Sequence, residues 1–159
     1  MAFAVGDKVV YPHHGATTVS SIETREVLGA RREYLVLRFD HVDLVLRVPA
    51  DGTDAVGLRQ VMAGDEVAEV FAVLRKRDTR TPSNWSRRFK NHTEMLRSGD
   101  VYQLAEVVRN LTQRKVGAHL SAGEQRMLDR ARQVLLSELS LVLSVDVDEA
   151  GRQLDEALV

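Results

Sequence analysis

The chain has 159 residues, 44% of them hydrophobic, a formal net charge of −1 and no cysteine. That length admits one large or two small domains, and the missing thiols exclude a disulfide framework or a thiolate metal site, so a reducing cytoplasm is the expected compartment. Residues 1–7 reach an acid before any apolar run of signal-peptide length and no later stretch approaches a membrane span, so neither export nor a bilayer is expected.

The first 60 residues have the signature of strands. Segments near 7–12, 17–27, 32–39 and 43–48 are short and rich in Val, Leu, Thr and Tyr, with turn residues at Gly15, Gly29 and Asp40-His41 between them. Around Tyr34 polar and apolar residues mix without a 3.6-residue repeat, as a half-buried strand allows. A small twisted sheet or open barrel is expected, with an exposed edge to which a partner strand could add.

From position 64 the period becomes helical. Val67, Val70, Phe71 and Leu74 follow it, as do Val101, Leu104, Ala105 and Val108, and then Met127, Leu128, Ala131, Val134, Leu135 and Leu139. Ser121-Ala122-Gly123-Glu124 fits a capping box, and Asp146 stands at the same spacing from Glu149. Pro82, Gly99 and Gly117 punctuate five predicted helices near 65–76, 84–97, 100–115, 121–143 and 147–158. The expected architecture is α+β: a β domain over residues 1–60 and an all-α domain over residues 61–159.

The near-zero net charge conceals an uneven distribution. Residues 61–97 carry 8 basic against 5 acidic side chains, whereas both flanking segments are net negative. After position 74, Arg75, Lys76, Arg77, Arg80, Arg87, Arg88, Lys90 and Arg97 face only Asp78 and Glu94, which predicts a basic face. Within it, Ser83 or Asn84 is placed to cap a helix whose first turn holds Trp85 and no acid, leaving positive amides for a phosphate. Arg87, Arg88 and Lys90 add charge beside the indole, a combination suited to an aromatic wedge anchored by phosphates. Trp85, Phe89 and Leu96 also share a face, so a core role for the indole remains the alternative.

No chemistry of bond-making is legible. There is no glycine-rich phosphate loop, nucleophile elbow or zincin pair. His13-His14 follows Pro12 in a predicted turn without a third ligand, and so predicts neither metal binding nor catalysis. No cofactor or small-molecule substrate is expected.

Several separated motifs together resemble a known family. They are Phe3-Ala4-Val5-Gly6-Asp7-Lys8-Val9-Val10-Tyr11-Pro12-His13-His14-Gly15, Glu33-Tyr34-Leu35-Val36-Leu37, Arg47-Val48-Pro49, Val56-Gly57, Asn84-Trp85-Ser86-Arg87-Arg88, Ser98-Gly99-Asp100, Ala105-Glu106-Val107-Val108-Arg109 and Leu120-Ser121-Ala122-Gly123-Glu124. In this order and over nearly the whole chain they resemble the CarD/CdnL family of bacterial transcription regulators, its actinobacterial members most. The resemblance implies a Tudor-like β domain that binds the β subunit of RNA polymerase. It also implies a helical domain that touches promoter DNA at the upstream edge of the melted region and stabilises the open complex. Carried over by residue, the polymerase contacts fall on Arg25 and Arg47, the groove-inserting Trp on Trp85, and the backbone contacts on Arg87 and Lys90, with Arg88 added here from its charge. Gln125 stands where some relatives carry Lys. From the residues alone, two other functions stay open: a helical protein–protein adaptor without DNA contact, and an independent DNA-binding repressor.

Overall fold

A computed structural model describes residues 2–12, 14–39, 43–77 and 80–159. The expected turn at Asp40-His41, His13 of the histidine pair and Asp78 lie outside them. The chain divides into two compact units, Met1–Val61 and Met62–Val159.

The first unit is a five-stranded antiparallel sheet of β1 (Lys8–Tyr11), β2 (Gly15–Val27), β3 (Ala30–Phe39), β4 (Leu44–Pro49) and β5 (Arg59–Gln60), in the order β4-β3-β2-β1-β5. The four expected strands are present; β5, with two residues, is too short to leave an alternating pattern. Val9, Val19, Leu35, Leu37, Phe39 and Val48 bury one face together with Phe3 and Leu58. The β2–β3 hairpin turns through Leu28 and Gly29, both at positive φ (52° and 80°), the signature of a two-residue type I′ turn. At its tip Leu28 is fully exposed.

The second unit consists of α1 (Glu66–Arg75), α2 (Trp85–Arg97), α3 (Val101–Gly117), α4 (Ala122–Leu143) and α5 (Val147–Leu158). The N-caps of α2 to α5 are local and satisfied: Asn84, Asp100, Ser121 and Asp146 each accept a backbone N–H of the turn that follows, and Ser121 with Glu124 completes a capping box, whereas Asp65 before α1 makes no side-chain cap. α3 packs against α1, α2 and α4, and α5 packs against α4 and α1. Their shared core holds Val70, Leu74, Leu104, Val108, Leu111, Leu135, Leu139 and Leu154. Polar groups close the seams. Buried Arg109 donates to the Val73 carbonyl in the last turn of α1 (3.1 Å), and the Glu138 carboxylate accepts the Met62 amide (2.6 Å).

Candidate functional site

On the sheet, one inserted residue decides which side chains face outward. The β2–β3 register breaks between Val19, opposite Leu37, and Ser21, opposite Val36, so that Ser20 is the extra residue; its hydroxyl donates to the Val36 carbonyl (3.0 Å). Beyond this bulge the parity of β2 reverses. Val19 points into the core with Leu37, whereas Glu23 and Arg25 lie on the outer face opposite Tyr34 and Arg32. Arg47, opposite Val36 on β4, joins them. Glu23 Oε2 then accepts from Arg47 Nε (2.9 Å) and Arg25 Nε (3.3 Å), all three side chains being 37–52% exposed. Its carboxyl is held below the usual range, chiefly by the Arg47 hydrogen bond. The two arginines singled out by resemblance are thus neighbours, joined by a glutamate that sequence reasoning did not single out.

In the helical unit the first turns of α2 and α4 meet. Trp85 opens α2; its ring stacks on Phe89 (centroids 5.0 Å apart, 20° between planes) and its Nε1–H donates to Ser121 Oγ (2.9 Å). The indole remains 45% exposed. Phe89 in turn lies against Gly123, where a Cβ would come within 3.3 Å of its ring. Arg87 and Lys90 are exposed, and no ion pair holds either among the described residues.

Arg88 departs from expectation. It is 2% exposed, its Nε and Nη2 donate to the two oxygens of Glu124 (2.8 and 3.2 Å), and its Nη1 donates to the Pro82 and Ser83 carbonyls (3.1 Å each). A guanidinium so enclosed has no face for a phosphate, so Arg88 is corrected from a DNA contact to an internal tie. The cause is rotational: successive residues on a helix lie 100° apart, so Arg87 and Arg88 cannot share a face, and Arg88 falls instead with buried His92. Glu124 is held below the usual carboxylate range, first by the Arg88 hydrogen bond, against an opposing contribution from burial. His92 is pushed below the ordinary imidazole value by burial. The carboxylate of Glu124 opposes that shift and the Arg88 cation adds to it. With Asn110 oriented to donate to Nε2 (3.3 Å), the buried Nδ1 of His92 has no partner among the described residues.

The basic face is also thinner than composition predicts. Arg75 lies over the Phe71 ring (5.6 Å), and Arg77 donates to the Val159 carbonyl. His14 stacks on Tyr11 (5.5 Å) and tilts against Phe39, and among the described residues no group of three or more His, Asp or Glu is arranged to hold a metal ion. Nor, among them, is any helix long and apolar enough to cross a membrane.

Comparison with known proteins matches both units. Residues 3–62 fit the family model for the CarD-like/TRCF RID domain, and residues 69–155 the model for the CarD C-terminal domain. The chain is 29% identical over 143 residues to "Putative transcription factor YdeB" of Bacillus subtilis (strain 168), covering 90% of this chain and 94% of that protein. It is also 37% identical to the 72-residue N-terminal domain of Myxococcus xanthus CarD, solved by NMR, over 37% of this chain and 79% of that one, with a TM-score of 0.33. The class is therefore that of α+β transcription factors with a Tudor-like β module followed by a helical module. Within it, the chain belongs to the CarD/CdnL family.

Proposed function

We propose that this protein is a non-enzymatic accessory initiation factor, acting in the cytoplasm without cofactor, that bridges RNA polymerase and promoter DNA. The β unit (residues 1–60 as expected from sequence) attaches to the polymerase β subunit through the outer face bearing Arg25 and Arg47. Their shared Glu23 is exposed, so a partner carboxylate can replace it with little desolvation cost. The helical unit (residues 61–159) meets the upstream edge of the bubble with Trp85, while Arg87 and Lys90 contact phosphates.

One observation carries the reading: a half-exposed indole at a helix N-terminus with an uncompensated cation two residues on. Inserting such a ring costs less where bases are already unstacked, so it favours melted over closed promoters without reading sequence. A few phosphate contacts bind weakly at physiological salt, and tethering to polymerase supplies the missing effective concentration. The test is open-complex lifetime with RNA polymerase holoenzyme and the full chain. Trp85→Ala is expected to shorten it about tenfold while polymerase binding stays intact. An unchanged lifetime would favour the adaptor, in which the covered half of the indole serves packing alone.

A further inference from the structure

The hydroxyl of Ser121 is used to capacity. A serine hydroxyl offers one donor and two acceptor positions. Here it donates to Glu124 Oε1 (3.4 Å) and accepts from the Glu124 amide (3.1 Å) and from Trp85 Nε1–H (2.9 Å). Glu124, the other member of the capping box, receives Arg88. Trp85 and Arg88 are three residues apart on α2, as Ser121 and Glu124 are on α4, so the two residues that start α4 also seat the first turn of α2.

We propose that Ser121 is a positioning residue for Trp85: by pinning the indole N–H, it fixes the ring orientation in which Trp85 meets DNA. This rests on the wedge reading given above and adds a property to it. A ring stacked on Phe89 and tethered at Nε1 has both of its side-chain torsions restrained before DNA arrives, so less rotamer entropy is lost on insertion. With its only donor satisfied internally, the indole presents no hydrogen bond to the acceptors of the minor groove. It contacts bases as an apolar surface alone, indifferent to their identity.

Two variants separate this role from the capping of α4. Ser121→Gly removes the acceptor while costing the cap only about a few tenths of a kcal/mol. Replacing Trp85, the sole tryptophan, by 3-benzothienylalanine exchanges the N–H for sulfur and leaves the capping box whole. In the free protein, Ser121→Gly is expected to raise acrylamide quenching of the Trp85 fluorescence about twofold. With holoenzyme and promoter, each change should shorten the open complex about three- to tenfold, the range one neutral hydrogen bond supports. Ser121→Thr should restore both readouts, and the two changes combined should cost no more than either alone. A normal lifetime for Ser121→Gly beside a short one for Trp85→Ala would overturn the positioning role and leave the wedge standing. A short lifetime for the benzothienyl protein alone would mean that the N–H serves DNA directly, and additive losses would mean that Ser121 acts through α4; either overturns the proposal. Normal lifetimes for every variant, Trp85→Ala included, would remove the wedge itself.

Discussion

Arg47 and Arg88 each hold a glutamate through Nε, at 2.9 and 2.8 Å, yet the first pair lies open on the sheet and the second is 1–3% exposed. Nearly equal Nε–O distances in unequal surroundings go with opposite properties. Around Glu23, water screens the charges and a second arginine competes for the same oxygen, so the contact can be exchanged for a partner's. Between α2 and α4, water cannot replace a lost partner, so the pair fixes structure and cannot serve a ligand. Bond length does not distinguish a recognition group from a structural one here; burial does.

The comparison breaks most visibly at Arg88. Arg88→Ala leaves Glu124 buried without its cation and is expected to cost the helical unit about 3–5 kcal/mol in urea unfolding. Arg88→Met with Glu124→Gln, which keeps a capping partner, should recover much of that loss. Trp85→Ala should cost about 1–2 kcal/mol in the same measurement. One aromatic stack and one hydrogen bond go, but no closed cavity is left, since nearly half the ring is already in water. Arg47→Glu should leave the unfolding midpoint in place and weaken polymerase retention about tenfold or more through charge repulsion.

Acid should act on the buried pair's surroundings before it touches the exposed one. His92 titrates below its ordinary 6.5 because it is buried; Glu124 and Arg88 face it with opposite effects, and Asn110 from α3 contacts it. Between that depressed value and 6.5 the unfolded chain binds a proton that the fold refuses, so stability present at neutral pH falls as pH drops below about 6.5. The depressed Glu124 extends the loss at lower pH, below its ordinary 4.5. A stability–pH profile should therefore decline on the acid side, and His92→Gln should flatten its upper part. The smallest effect is expected at Glu23→Gln, whose midpoint should be unchanged at neutral pH while both arginines become more available to polymerase.

Much of this architecture is legible because it is written locally. Asn84, Ser121 and Asp146 announce helix starts through side chains that bond within one turn, and the α3 and α4 cores follow their 3.6-residue spacing. What is not legible depends on residues far apart in sequence. The bulge at Ser20, which turns Glu23 and Arg25 outward, has no glycine to mark it, and the pairing of Arg88 with Glu124 spans 36 positions. A signal for Arg88 existed nonetheless: its spacing from His92 sets it on a different face from Arg87 and Lys90. Net charge per segment carries no information on rotation about the helix axis, so it does not separate Arg88 from Arg87 and Lys90. The capping box was visible as a cap; its second use as a seat for Trp85 and Arg88 was not, because a local motif carries no record of the helix that docks on it.

The hairpin tip holds an unused margin. A leucine at φ 52° and fully exposed gains nothing from burial and bears the crowding of its Cβ in the left-handed region, on the order of 1 kcal/mol. Asn-Gly is the pair that such a two-residue turn favours. Leu28→Asn should therefore slow hydrogen exchange at the amides of Val27 and Ala30, the last rung of the ladder. It would provide a firmer sheet in which Arg25 and Arg47 could be altered together without losing the unit that presents them.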